Sequence, residues 1–273
     1  MNLDRELFIV ALFFYLIALI FYGIYLLKNK EIWSKGWLAL MGLGFFIHSI
    51  EMIRQAFHLV QTGAIQLFAV LILFSWGLAG LSLILQTQLR MRILLGVVLF
   101  LVFTIGGTAL GIPRSLEKTI PALNAFWLAA HIFLSLLGYA AFCVGLISSV
   151  FYLILDRQLK MKISGPLFQR LPPLEVLEFI NFRSLWAGTL FLGLGLVSGF
   201  LWAKWSKNIS LTIADPKVIS AWATFFIYGV ILYVRSTARL RGRKVAYLTI
   251  FGFSCVLITF FMMNYVSKGH GFF

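Results

Sequence analysis

The chain has 273 residues, of which 61% are hydrophobic and only 12% charged, and its mean hydropathy is +0.97. A soluble domain carries about 25% charged residues, so this composition excludes a water-soluble globule and leaves an integral membrane protein. A net charge of +14 suggests nucleic acid when it is met in a soluble chain. Here it follows from the crowding of lysine and arginine into cytoplasmic loops, so lipid rather than nucleic acid is the expected surroundings.

A membrane-crossing helix needs about 20 apolar residues. Eight runs qualify, at roughly 7–27, 38–59, 64–86, 93–111, 124–155, 184–203, 218–234 and 245–265. The first has no small-residue cleavage site after it, so it reads as a retained span and not a signal peptide. The fifth is long enough to project beyond the bilayer at its inner end. Between the fifth and sixth, Pro172-Pro173 followed by an apolar and acidic pattern predicts a short interfacial helix. Asp215-Pro216 opens the seventh as an ordinary helix cap followed by a first-turn proline. Cys143 and Cys255 sit singly in apolar runs and fit neither a redox pair nor a zinc site. The expected fold is an all-α integral membrane protein, a bundle of about eight transmembrane helices forming one polytopic domain over 1–273.

Charge sets the expected orientation. With the N-terminus outside, the inner segments hold Lys28, Lys30, Lys35, Arg90, Arg92, Arg157, Lys160, Lys162, Arg170, Arg183, Arg235, Arg239, Arg241, Arg243 and Lys244, which is 15 of the 23 basic residues. The outer segments hold 7: Arg5, Arg114, Lys118, Lys204, Lys207, Lys217 and Lys268. The excess of positive charge therefore favours both termini on the outer side. Of the four histidines, His58, His131 and His270 then gather toward the outer face, with His131 one or two turns into the fifth span, and His48 alone lies deep.

Two features are candidates for chemistry. His131 and His270 could be the two axial ligands of one haem iron or could share a metal; equally, they are two unrelated interfacial histidines. In the second span, "GFFIHSIEMIRQAFHLV" places His48, Glu51, Arg54, Gln55 and His58 on one stripe about 120° wide. Ionised groups at bilayer depth cost about 2.5–3.5 kcal/mol or more. The stripe therefore reads either as a ligand-lined or proton-conducting interior, or as a self-neutralised Glu51–Arg54 pair that fixes helix packing. Gly195 and Gly199 suit close helix packing, and Trp202 and Trp205 suit an interfacial aromatic belt.

Taken together, "GFFIHSIEMIRQ", "HIFLSLLGYAAF", "LPPLEVLEFINFRSLWAGTLFLGLGLVSGFLWA", "GRKVAYLTIFGF" and the terminal "SKGHGFF" resemble the CcsA/HemX branch of the cytochrome c assembly family. The resemblance covers the chain from about residue 40 onward. It implies a membrane protein that handles haem in system II cytochrome c maturation, with His131 and His270 as external ligands of a haem b. His48 and Arg54 match positions that recur in the second span of this branch. The branch's Trp-rich segment is altered: Asp215, Pro216 and Lys217 remain, the tryptophans before them do not, and Trp202 and Trp205 lie upstream as a partial aromatic wall. Tyr233 stands where synthase-type members carry a further histidine. Cofactor contacts are thus expected at His131, His270, His48, Asp215 and Trp202.

Three functions follow as expectations. The first is delivery of haem from the outer face of the cell's inner (cytoplasmic) membrane to an apocytochrome c, with a ResB-type membrane partner; the thioether chemistry would belong largely to haem and thiols. The second is a HemX-like membrane regulator of tetrapyrrole synthesis acting on the level of glutamyl-tRNA reductase. The third is a transporter using the stripe on the second span, although no inverted repeat or interrupted helix pair is visible. The chain carries no triad, P-loop or dinucleotide fingerprint, which argues against an independent enzyme.

Overall fold

The computed structural model describes residues 5–62, 67–89, 92–112, 122–162, 165, 168–205, 216–237 and 240–268. All the regular structure among them is helical: α1 (Glu6–Lys28), α2 (Glu31–Thr62), α3 (Leu67–Leu89), α4 (Arg92–Leu110), α5 (Ala122–Met161), α6 (Leu174–Trp205), α7 (Pro216–Thr237) and α8 (Arg243–Lys268), with one 3-10 turn at Phe168–Arg170. Seven of these helices, α1 to α7, are long and apolar enough over their described residues to cross a membrane. The chain is a multi-pass helical membrane protein.

Two boundaries differ from the sequence reading. No separate interfacial helix follows Pro172-Pro173, because α6 starts at Leu174 and continues unbroken to Trp205. The carbonyl of Pro173 accepts the amides of Val176 and Leu177, so the prolines cap one long helix instead of delimiting a short one, and nothing between Glu178 and Leu185 stops it. Arg183 accordingly sits on α6, its guanidinium over the Phe179 ring, and does not belong to a loop. Likewise α2 begins at Glu31, seven residues before the apolar run, which places Lys35 on that helix beside Glu31.

The helices form two compact units, Met1–Ala140 and Ala141–Phe273, with α5 contributing to both. In the first, α1 buries Phe8, Ala11, Tyr15, Ala18 and Tyr22, a 3,4,3,4 spacing that makes one stripe. Only Asn29 and Lys30 join α1 to α2. Asn29 is left-handed at φ 49° with its amide on Tyr25 O, which turns the chain back sharply. The two helices then lie close because Gly44 leaves room for the Tyr15 ring, 2.9 Å from where a Cβ would stand. Gly96 does the same for Tyr22 on the α4 side, where an added Cβ would overlap that ring. In lipid, helices associate through such packing and hydrogen bonds, since apolar burial itself gains little.

In the second unit Phe142 and Tyr228 stack with ring centroids 3.7 Å apart and planes 8° from parallel. Asn181 of α6 stands at the centre of a polar cluster. Its amide nitrogen lies 2.8 Å from Ser149 Oγ, 3.1 Å from Thr249 Oγ1 and 3.2 Å from Gly145 O, and its oxygen accepts Arg235 Nη1 at 2.7 Å. Arg235 also donates to Glu178 O. One asparagine thus ties α5, α6, α7 and α8 together. Nearby, Asp156 accepts Arg243 Nε at 2.7 Å and pairs with Lys160.

Candidate functional site

The polar stripe of α2 divides into three fates. Glu51 is fully buried and takes a two-pronged bond from Arg54, Nε to Oε2 at 2.9 Å and Nη2 to Oε1 at 2.8 Å. Gln55 adds a third bond, its Nε2 donating to Oε1 at 2.7 Å. The helix supplies the geometry, since i,i+3 and i,i+4 neighbours lie on one face. The result is a closed carboxylate site: the charge is neutralised and three donors are spent on two oxygens. Such an arrangement suits helix packing.

His48 is also fully buried. Its Nδ1 lies 3.3 Å from the Tyr15 hydroxyl, and its ring meets Phe8 at a centroid distance of 5.0 Å. It belongs to the α1–α2 seam. His58, by contrast, is exposed and lines a cavity.

That cavity, about 480 Å³, lies among α2, α3 and the first turns of α5. Among the described residues, Ser49, Gln55, His58 and Trp76 are the polar members of its lining, and the rest is aliphatic, Met or Phe. Its wall is aromatic: Trp76 stacks on Phe45 at 5.5 Å and 19°, and Phe133 leans on Trp76 at 6.0 Å. The Trp76 indole donates to Ser49 Oγ at 2.8 Å, and Ser49 passes its own proton to Phe45 O at 2.8 Å.

His131 is half-buried on α5, nine residues after Ala122, about two and a half turns along the helix. Ala129 and Phe133 line the cavity, and at 100° per residue they lie about 160° around the helix from His131. The histidine and the cavity therefore occupy opposite faces of α5. Trp202 is half-buried in the last turn of α6, with its indole N–H buried and lacking an acceptor among the described residues. Tyr233 is 67% exposed, on the outside of its unit. Asp215 and His270 lie outside the described residues, which contain no group of three His, Cys, Asp or Glu able to hold a metal ion. Cys143 is buried, Cys255 half-buried, and both are free thiols.

Sequence reasoning missed the cavity and the Asn181–Arg235 cluster. Arg235 stands one residue past the apolar run 218–234 and so read as an ordinary inner-segment cation, with no sign of its partner on α6. The cavity carried no signal, because small and aromatic residues on three helices look alike whether their gap is filled or empty.

The family model described as Cytochrome C assembly protein matches residues 64–270. Protein HemX of Brevibacillus brevis is 27% identical over 258 residues, 94% of each chain. Cytochrome c biogenesis protein CcsA of Guillardia theta is 26% identical over 224 residues, covering 74% of this chain and 73% of that protein. CcsA of Prochlorococcus marinus (strain MIT 9215) is 27% identical over 228 residues with the same coverage.

Proposed function

Because the chain belongs to the cytochrome c assembly protein family, and so to the machinery of cytochrome c biogenesis, we propose that it holds haem b at the outer face of the inner membrane for delivery to an apocytochrome c. His131 and His270 are the axial ligands in this reading, and a ResB-type protein is the membrane partner. The observation that carries it is the family match itself, which runs through His131 and ends on His270.

Two features of the residues fit the group. His131 is a half-buried imidazole near the start of α5. The buried indole N–H of Trp202, with no acceptor among the described residues, is a donor suited to a carboxylate such as a haem propionate. When bound, haem supplies the vinyl groups that form thioether bonds with cysteine thiols. The residues of this chain orient the macrocycle, ligate its iron and limit its exposure to oxidants; Asp215 and His48 are assigned to supporting the site. The test is the oxidised and reduced absorption spectrum of the purified protein beside His131→Ala and His270→Ala. A six-coordinate low-spin spectrum lost in both variants supports the site. Haem well below one per chain in the wild type, or full retention in both variants, sinks it.

A second reading is favoured by coverage. The relative named HemX aligns over 94% of both chains, whereas the CcsA relatives align over about three-quarters. In that reading the chain regulates tetrapyrrole synthesis through its cytoplasmic loops, lowering the level of glutamyl-tRNA reductase. A deletion strain separates the two. Loss of holo-cytochrome c with unchanged reductase supports haem delivery, and raised reductase with intact cytochromes supports regulation.

A further inference from the structure

The cavity among α2, α3 and α5 belongs to neither reading, since it lies on the face of α5 turned away from His131 and has no ionised residue among the described residues of its lining. We propose that it is a binding site for a neutral, ring-headed isoprenoid lipid of the quinone class, with the ring against Trp76 and a ring carbonyl hydrogen-bonded to His58 at the cavity's polar end.

Four observations carry this. The volume of about 480 Å³ falls within the range of small-molecule sites, about 300–1,000 Å³. The wall is flat and aromatic: Trp76 is held by the Phe45 stack behind it and fixed in rotation by its bond to Ser49, so it offers a preformed face for another ring. Polarity is one-ended. Ser49 and the Trp76 indole satisfy each other, while Gln55 and His58 stand one to three turns further along α2. Gln55 spends one N–H on Glu51, which leaves its second N–H and its carbonyl, and His58 brings an imidazole to the rim.

Charge decides among the apolar ligands a membrane offers. Among the described residues, no Lys or Arg lines the cavity. A dicarboxylate porphyrin or a phospholipid phosphate would place its anion there without a counter-ion, which is costly away from water. A neutral ring bearing only carbonyl acceptors meets no such cost. Of the lining residues, Ile53 and Phe126 are 58% and 67% exposed. On a membrane-spanning surface that exposure is to lipid, which gives an isoprenoid tail a way out.

The test uses the purified full-length chain in detergent with decylubiquinone as the probe. Quinones quench indole fluorescence, and Trp76→Phe isolates the contribution of Trp76 among the eight tryptophans. Saturable quenching is expected in the wild type and reduced in amplitude in Trp76→Phe. His58→Ala weakens the apparent affinity about fivefold to tenfold, the size of one hydrogen bond, and Ala130→Leu, which fills the cavity, removes saturation. Organic extraction of the purified wild type is the second measurement, with native quinone expected near one per chain. Quenching that rises linearly and equally in all four proteins would mean partition into detergent and overturns the proposal. So does recovery of only phospholipid from the cavity, or loss of a haem spectrum in His58→Ala. The haem spectrum of His131→Ala is read separately, so failure here leaves the outer haem site untouched.

Discussion

Glu51 and Arg54 show what a single charged residue must do at bilayer depth. The carboxylate is fully buried, and its stability rests on the guanidinium one turn away. Removing the cation leaves an uncompensated buried charge, which typically costs about 3–5 kcal/mol, whereas removing both charges is often close to neutral. Arg54→Met is therefore expected to lower the unfolding midpoint in detergent sharply, and Glu51→Gln/Arg54→Met to recover most of the loss. A double variant as unstable as the single one would mean that Arg54 acts through something other than this pair. Gly242 is the second residue whose identity matters. Its φ of +72° lies in the left-handed region, and a Cβ there would stand 2.9 Å from the Tyr152 hydroxyl. Gly242→Ala should cost about 1–2 kcal/mol from the backbone alone, read as a midpoint lower by about 3–6 °C.

At the scale of elements, hydropathy made the helices legible because each crossing had to satisfy its own backbone. It blurred their ends: α2 and α6 extend seven and ten residues beyond the apolar runs at their N-termini, where polar residues continue a helix without entering lipid. The i,i+3 pairing on α2 was equally readable, since both partners lie on one helix. Asn181 was not, because its partners come from α5, α7 and α8, as far as 68 positions away. Its loss should be felt as loosened contact among four helices. Asn181→Ala strands the Arg235 contact and should cost about 2 kcal/mol, above the average of about 0.6 kcal/mol for one interhelical bond in a membrane. Asn181→Asp keeps the acceptor facing Arg235 and should retain part of that energy. Equal destabilisation of the two variants would assign the stability to the amide donors on Ser149 and Thr249 instead.

For the whole molecule, the candidate sites acquire meaning only through their side of the membrane. α1 spans Glu6–Lys28, about 34 Å at 1.5 Å per residue, enough to cross the hydrocarbon core of about 30 Å. The turn after it, with Lys28 and Lys30, must then lie opposite the N-terminus. The same alternation assigns the Leu89–Arg92, Met161–Leu174 and Thr237–Arg243 connections to the same side of the membrane as that turn, and these carry the densest positive charge. Positive residues are retained on the cytoplasmic side, so the end where α2 finishes and α5 begins should face outward, with His58 and His131 near it. Single cysteines test this in a background with Cys143 and Cys255 replaced by serine. A membrane-impermeant maleimide should label Asn2→Cys on intact cells and Asn29→Cys only after permeabilisation. The reverse pattern would turn the bundle over, put the His131 end in the cytoplasm and end the case for an external haem site. It would leave the aromatic cavity intact, since a ligand entering sideways from lipid depends on neither aqueous face.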